Sequence, residues 1–309
     1  MDRIVSSPES TKLSHEIAEK AITLVRHEAS VLPLDRSKKI AVLGISNGFD
    51  GPGTMAPFAG ALRSGGLRFS QSYLQENSLQ QQTDAARKAV NEADTVIVGL
   101  YGRVRSGAAN SVGIPENGAA ILREALASGK KVVGIAFGNP YILSSFPEMK
   151  TYVVAYGDMP SLQRAAARGL LGQQQFTGKL PISLPGLHPR GFNASLNLPK
   201  PIALPKPNFP PAALAVRARS DVTVNVLIDE SGMVSDATAI SGHPLLRQAA
   251  VNAAKGSTFQ IDDRSGSKTL TIIYRFADEG TADSPCCEGF PYLVTITAPD
   301  IRIAQGGTP

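Results

Sequence analysis

Four short apolar segments recur in the first part of the sequence and constrain its fold more than any other feature. They are Lys39–Ile45, Thr95–Leu100, Lys131–Phe137 and Thr151–Tyr156. Runs rich in Val and Ile suit strands that are buried on both faces of a parallel sheet. Helical patterns lie between them, so strands and helices alternate. The sequence therefore predicts an α/β fold in which a mostly parallel sheet is sandwiched by helices.

The helical patterns have the spacing and end signals of ordinary amphipathic helices. In the first one, Leu13, Ile17, Ala21 and Leu24 are separated by four and three residues. Pro115 fits a first helical turn, and Gly129 fits the end of the same helix. The predicted helices are Pro8–His27, Ala56–Ser64, Thr83–Ala93, Pro115–Ser128 and Ser161–Gly172.

A second part with a different pattern of predicted strands and helices follows a proline-dense stretch. Nine prolines lie between residues 181 and 211, which favours a stiff linker. Beyond it, a hairpin, a helix and further strands predict a small α+β module with the order β-β-α-β. We therefore predict domains at 1–192 and 211–309, with a linker at 193–210. The module's predicted elements are Asp221–Asp229, Met233–Ile240, Pro244–Lys255, Lys268–Phe276 and Tyr292–Thr297.

Several classes of protein are disfavoured by composition. No apolar run approaches the roughly 18 residues of a spanning helix, and no signal peptide is visible at the N-terminus. Only two cysteines occur, the adjacent Cys286 and Cys287, so a disulfide scaffold or a four-cysteine zinc site is excluded. The net charge of +5 comes from scattered basic residues, which argues against a nucleic-acid partner. We expect no metal and no cofactor. In particular, Gly48–Gly53 is not followed by the Lys of a phosphate loop, which argues against a nucleotide site.

The first part resembles the C-terminal α/β-sandwich domain of glycoside hydrolase family 3 over about residues 9–192. The resemblance is carried by motifs that follow one another in the family's order, and Tyr101–Arg105 with Gly113–Glu116 looks most like the β-N-acetylhexosaminidase branch. The motifs are the segments Ala18–Arg26, Val31–Leu34, Lys39–Gly44, Ala93–Val98, Lys131–Tyr141 and Gly178–Pro185.

The resemblance implies that catalysis belongs to another domain. In that family the nucleophile is an aspartate on an N-terminal (β/α)₈ barrel, which needs about 250 residues. We expect this chain to lack that barrel and to be inactive alone, with no catalytic residue of its own. Glu116 and Asp158 are the weak carboxylate candidates in its loops. Capping or turn formation at helix starts is the plainer interpretation of both.

The better candidates for a binding cleft follow the predicted strands. In open α/β sheets, ligands bind beyond the carboxyl ends of the strands. Arg103 and Arg105 follow one strand, and Asn139 and Tyr141 follow the next. We expect them to contact a sugar or a catalytic barrel. A solvated or interdomain role for the two arginines is the alternative.

The second part resembles the C-terminal domain of TonB-type energy transducers over about residues 203–276. The hairpin, the string Ser241–Leu246 and the Ala-rich helix carry this resemblance. It implies a module that binds an extended peptide, partly by strand addition. His243 is expected at the exit of the hairpin rather than on a metal.

Two functions remain open from the sequence. The first is a non-catalytic part of a family 3 glycosidase, in carbohydrate metabolism, fused to a TonB-like binding module. The alternative is an envelope interaction or scaffold protein in which the module recruits a partner. Both resemblances favour the periplasm or cell envelope, if the chain belongs to a longer exported protein.

Overall fold

The computed structural model describes residues 7–28, 31–104, 107, 112–197, 199–261, 268–278 and 290–298. The chain divides into two compact units, Met1–Leu198 and Pro199–Pro309. The division falls inside the stretch 193–210 that the sequence predicts to be a linker. Asn193 and Ser195, from that stretch, are buried and bond to Phe176 in the first unit.

The first unit is built on a six-stranded sheet with helices between its strands. The strands are β1 (Thr23–Arg26), β2 (Ile40–Ser46), β3 (Ser70–Gln75), β4 (Thr95–Tyr101), β5 (Lys131–Ala136) and β6 (Thr151–Val154). The helices are α1 (Pro8–Ala21), α2 (Ala56–Ser64), α3 (Gln80–Glu92), α4 (Glu116–Ala127) and α5 (Pro160–Leu170). Short 3₁₀ turns cover Pro52–Met55, Pro140–Ser145 and Ala194–Asn197.

The strands are arranged in the order β1-β6-β5-β4-β2-β3. All neighbouring pairs are parallel except β1 and β6, which are antiparallel. The α/β fold class predicted from the sequence is therefore confirmed. Every residue of β2, β4 and β6 is buried, as the continuous apolar runs require.

The predicted helix Pro8–His27 is wrong in two respects, the position of its C-terminal end and the residues that it buries. Helix α1 ends at Ala21, and Leu24 belongs to strand β1. Leu13 and Ile17 are 57% and 58% exposed, whereas Ala18 is the buried residue of the helix. Small side chains allow α1 to approach its neighbour α5, so its large apolar side chains remain on the outer side.

The second unit has six strands and two helices in the part of the chain that the structure describes. They are β7 (Lys200–Ala203), α6 (Pro211–Ala215), β8 (Ser220–Ile228), β9 (Val234–Ala239), α7 (Pro244–Lys255), β10 (Thr258–Gln260), β11 (Lys268–Ala277) and β12 (Tyr292–Thr297). Four strands form a sheet in the order β12-β11-β8-β9, and β7 pairs separately with β10. Helix α7 contacts β8 and β9, and the main elements follow the predicted order β-β-α-β. The strands β7 and β10 and the short α6 were not predicted.

Candidate functional site

The carboxyl ends of β2, β4, β5 and β6 meet at one edge of the first sheet. Ser46 is opposite Tyr101 at the ends of β2 and β4, and Ala136 is opposite Val154 at the ends of β5 and β6. Because these strands are parallel, the loops that follow them emerge together. We call this region the carboxyl edge.

An ion cluster at the carboxyl edge joins three of these loops. The Arg103 guanidinium donates to Asp50 through Nη1 at 2.5 Å and to Asp158 through Nε at 2.9 Å. Its Nη2 also donates to Asp158. The hydrogen bond with Asp158 raises the pKa of Arg103 above its ordinary value. The cluster is partly exposed and holds one cation between two anions.

The backbone beneath Arg103 is fixed by a buried amide. Asn47 Nδ2 donates to the Arg103 carbonyl oxygen at 2.8 Å, and the Arg103 N–H donates to Asn47 Oδ1 at 3.0 Å. Asn47 follows β2 and is fully buried. The loops after β2 and β4 are therefore tied together at the position where the guanidinium leaves the backbone.

Gln163 on α5 forms a second buried connection under the cluster. Its Nε2 donates to the carbonyl oxygens of Thr54 and Asp158, at 2.9 Å and 2.6 Å. Its Oε1 accepts from the Phe58 N–H and, at 3.4 Å, from the Tyr101 hydroxyl. Burial is the main cause that raises the pKa of Tyr101, so this hydroxyl stays protonated. Both polar atoms of the amide are thus engaged inside the protein.

Asn139 and Tyr141 lie at the same edge as Arg103. The Asn139 N–H donates to the Gly102 carbonyl oxygen at 3.0 Å, which places Asn139 beside the residue that precedes Arg103. The Asn139 side chain caps the following turn and donates to the Val112 carbonyl oxygen. Tyr141 is 44% exposed. Within the described residues, no hydrogen bond joins Arg103 to Asn139 or Tyr141, and Arg105 lies outside those residues. A shared cleft stays a prediction.

The two weak carboxylate candidates are separated and each is paired with an arginine. Glu116 lies in the first turn of α4 and bonds to Arg123 at 2.6 Å. Asp158 does not cap α5, whose N-cap position is Met159 without a side-chain bond. Its carboxylate instead binds Arg103. The structure therefore does not bring Glu116 and Asp158 together as a pair.

Exposed large apolar side chains lie in the same carboxyl-edge loops as the ion cluster, and sequence reasoning identified only Tyr141 among them. They are carried by the loops after β2, β4, β5 and β6. Large apolar residues within a few positions of a predicted strand end are a signal that would have found most of them, though not Val112. We call this set the apolar rim: Phe49, Val104, Val112, Tyr141 and Met159, with 58%, 77%, 55%, 44% and 58% of their surfaces exposed.

The part of the chain that the structure describes has neither a metal-binding cluster nor a membrane-spanning helix. It contains no group of three or more His, Cys, Asp or Glu side chains that could hold a metal ion. Among its helices, none is long and apolar enough to cross a membrane. In the second unit, His243 Nδ1 accepts from the Leu245 N–H at 3.3 Å and so caps α7.

The sheet order and the helices between the strands define an α/β domain with a mostly parallel sheet. The chain belongs to the family described as the glycosyl hydrolase family 3 C-terminal domain, which matches residues 22–232. The C-terminal domain of Gram-negative bacterial TonB protein matches residues 205–277. The second match points to a Gram-negative envelope context.

This chain is similar to parts of several longer proteins. A β-N-acetylglucosaminidase/β-glucosidase of Cellulomonas fimi is 25% identical over 190 residues, which cover 58% of this chain and 33% of the relative. The β-glucosidase of Listeria innocua in complex with glucose is 15% identical, with a TM-score of 0.51, over 89% of this chain and 46% of that one. A β-N-acetylglucosaminidase of Paenibacillus sp. is 24% identical, with a TM-score of 0.48, over 57% of this chain and 33% of that one. The chain thus spans about a third of the length of the Cellulomonas relative.

Proposed function

We propose that this chain provides a non-catalytic part of a family 3 glycosidase. Its carboxyl edge would contact a catalytic (β/α)₈ barrel or the carbohydrate bound there. The observation that carries the proposal is the apolar rim in the carboxyl-edge loops that also hold the Asp50–Arg103–Asp158 cluster. The substrate class would be that named for the Cellulomonas relative, a β-N-acetylglucosaminide or β-glucoside.

The composition of the carboxyl edge is that of an interaction surface. Contiguous exposed apolar patches on soluble domains mark places where a partner or ligand binds. Arginine and aromatic residues are enriched in such surfaces, and Arg103 and Tyr141 are of these types. Asn47 and Gln163 hold the loops in place beneath the surface. A pre-organised surface loses less conformational entropy when it binds.

The carboxylates of the first unit give no support for catalysis by this chain alone. Glycoside hydrolysis requires two carboxyl groups, or their substitutes, on either side of one bond. Glu116 and Asp158 are instead held by Arg123 and Arg103. We expect the isolated chain to release no nitrophenol from nitrophenyl β-N-acetylglucosaminide or β-glucoside. Release that Asp158→Asn or Glu116→Gln abolishes would contradict this proposal.

A binding experiment tests the proposed role of the carboxyl edge. The barrel of the Cellulomonas fimi enzyme, produced separately, is titrated with the full chain by calorimetry. Met159→Ser should weaken binding about 10-fold, because burying a methionine side chain contributes about 1.5–3 kcal/mol. Ile17→Ser is the matched control, since Ile17 and Met159 are both 58% exposed and Ile17 lies on α1. Equal losses for both variants, or no binding of the original chain, would contradict the proposal.

For the second unit, we propose an extended peptide as the partner and the periplasm as the location. The observation in favour of the peptide is that β9 is an edge strand, paired with β8 on one side only within the described sheet. Such a strand can accept a peptide through its free backbone groups. Ala237→Pro should abolish peptide binding and spare the fold of the first unit, as measured by fluorescence anisotropy and circular dichroism.

A further inference from the structure

An open cleft of about 600 Å³ lies at the other edge of the sheet in the first unit. It is lined by the end of β1, by the loop before β6 and by His188. β1 is antiparallel to β6, and Arg26 is opposite Tyr152, so the end of β1 meets the amino end of β6. None of the residues of the carboxyl edge lines this cleft. It is therefore separate from the site proposed above.

Arg26 is fixed in this cleft by neutral acceptors. Its Nη1 donates to the Met149 carbonyl oxygen at 3.0 Å and also to the Pro147 carbonyl oxygen. Its Nε donates to His188 Nε2 at 3.4 Å. The guanidinium is held on two sides, and none of its described hydrogen bonds uses Nη2. Two N–H donors on this nitrogen are left for a ligand.

Arg26 differs from the ion-paired arginines of the first unit. Those arginines lie within 4.0 Å of a carboxylate, whereas no carboxylate in the described residues lies that close to Arg26. A half-buried cation without a counter-ion is unfavourable, because desolvation weakens its hydration and no opposite charge compensates. An anion would supply that opposite charge. The arginines with carboxylate partners are Arg87, Arg103, Arg123 and Arg168.

The other charged groups of the cleft do not supply this anion. Glu28 lies 3.5 Å from the ammonium of Lys150 and is balanced by it. Glu148 is exposed and acts electrostatically on Arg123. His27 stays neutral at neutral pH, because burial lowers its pKa to about 4. Among the described cations that line this cleft, Arg26 is therefore the one with no carboxylate within 4.0 Å.

His188 offers a donor beside Arg26. Burial, together with the charge of Arg26, lowers the pKa of His188, so its ring is neutral at neutral pH. Its Nε2 accepts from Arg26, which leaves the ring proton on Nδ1. The ring also stacks on Phe192, with centroids 4.4 Å apart, which fixes its orientation.

We propose that this cleft binds a small molecule through an oxyanion, a carboxylate or a phosphate group, held by Arg26 and assisted by His188. A planar guanidinium fork matches the oxygens of either group. The volume lies within the roughly 300–1,000 Å³ of ordinary small-molecule sites. Lys150 also lines the cleft, but its ammonium is paired with Glu28, so Arg26 is the group that would bind the anion.

The first test uses the full, unaltered chain and its histidine NMR signals. Inorganic phosphate, glucuronate and glucose are titrated separately, and the pKa of His188 is followed. A bound anion favours the protonated imidazole, so phosphate, glucuronate or both should raise this pKa by about one unit, and glucose should leave it unchanged. Response to phosphate alone assigns a phosphate ligand, and response to glucuronate alone assigns a carboxylate. No response to either anion would overturn the proposal.

Variants test the role of Arg26 directly. Arg26→Gln should weaken the binding of the responding anion at least about 10-fold by calorimetry, because a charged hydrogen-bond partner is lost. Arg26→Lys, which keeps the charge without the fork, should give an intermediate loss. Arg36→Gln, at an exposed position, should bind as the original chain does. Unchanged affinity in a folded Arg26→Gln variant would refute the assignment.

Discussion

Gln163 contacts three parts of the carboxyl edge through one buried side chain. Its amide bonds to the turn at Thr54, to the end of β4 at Tyr101 and to the loop at Asp158. Hydrogen bonds in such a buried network are mutually dependent, because every group that loses its partner remains shielded from water. The position of Asp158, and through it Arg103, therefore depends on Gln163.

We predict that Gln163→Leu lowers the free energy of unfolding by at least about 3 kcal/mol. The substitution keeps the volume but leaves the Phe58 N–H and two carbonyl oxygens without a partner, and each buried unpaired group costs about 1–3 kcal/mol. Urea denaturation measures the change. Gln80→Leu on the exposed start of α3 is the control and should change stability by less than about 0.5 kcal/mol. Equal stability of the two variants would show that the network is unimportant.

For single residues, the sequence indicated which ones follow strands but did not indicate which ones bind partners far away in the sequence. Arg103, Asn139 and Tyr141 could be assigned to one edge because topology alone places the loops after parallel strands there; their role in binding stays a prediction. Asp50 and Gln163 were missed as partners of the site, because they lie 53 and 105 residues from the groups they bind, Arg103 and Phe58. Local patterns contain no information on such pairings.

Among the secondary-structure elements, predictability followed burial. The inner strands β2, β4 and β5 were predicted because they are covered on both faces and read as apolar runs. The edge strand β3 was missed, since its sequence is polar and its first two residues are exposed. β1 was missed because its apolar residues continue the period of α1. Edge strands depend on pairing with a neighbour, which the local sequence does not encode.

The loops after β4 and β5 are in close contact at Gly138. A Cβ atom there would lie 2.4 Å from the Gly102 carbonyl oxygen, which is backbone and cannot rotate away. We predict that Gly138→Ala destabilises the chain by about 1–3 kcal/mol, as strained backbone sites do. It should also shift the amide NMR signals of Arg103 and Asn139.

Gly60→Ala is the control for this prediction. Gly60 lies within α2 and has nothing within 4 Å of the added carbon. Alanine should there raise stability by about 0.5–1 kcal/mol, because it has the higher helix propensity. Both stabilities are read from thermal unfolding. A neutral Gly138→Ala variant would mean that the two loops separate without loss.

On the scale of the whole molecule, the boundary between the two units determines which fragments of the chain can fold alone. Each unit has its own sheet, and both lengths lie in the range of independent domains, about 50–250 residues. The sequence predicts that the first domain ends at residue 192, and the first compact unit extends to Leu198. The six residues between them contain Asn193 and Ser195. Asn193 Nδ2 donates to the carbonyl oxygens of Phe176 and Gly178, at 3.0 Å and 2.6 Å, and Ser195 Oγ donates to that of Phe176 at 3.1 Å.

We predict that fragments 1–198 and 199–309 each fold alone, and that fragment 1–192 is less stable than 1–198 by about 2–4 kcal/mol. The shorter fragment loses three buried hydrogen bonds, each contributing about 0.5–1.5 kcal/mol, and leaves the Phe176 and Gly178 carbonyl oxygens without these partners. Urea denaturation followed by circular dichroism gives both values. Asn193→Ala in fragment 1–198 should reproduce part of the loss, since it removes the two bonds of the amide and retains the chain length. If 1–192 and 1–198 unfold at the same urea concentration, residues 193–198 act as a linker and the first domain ends where the sequence predicts.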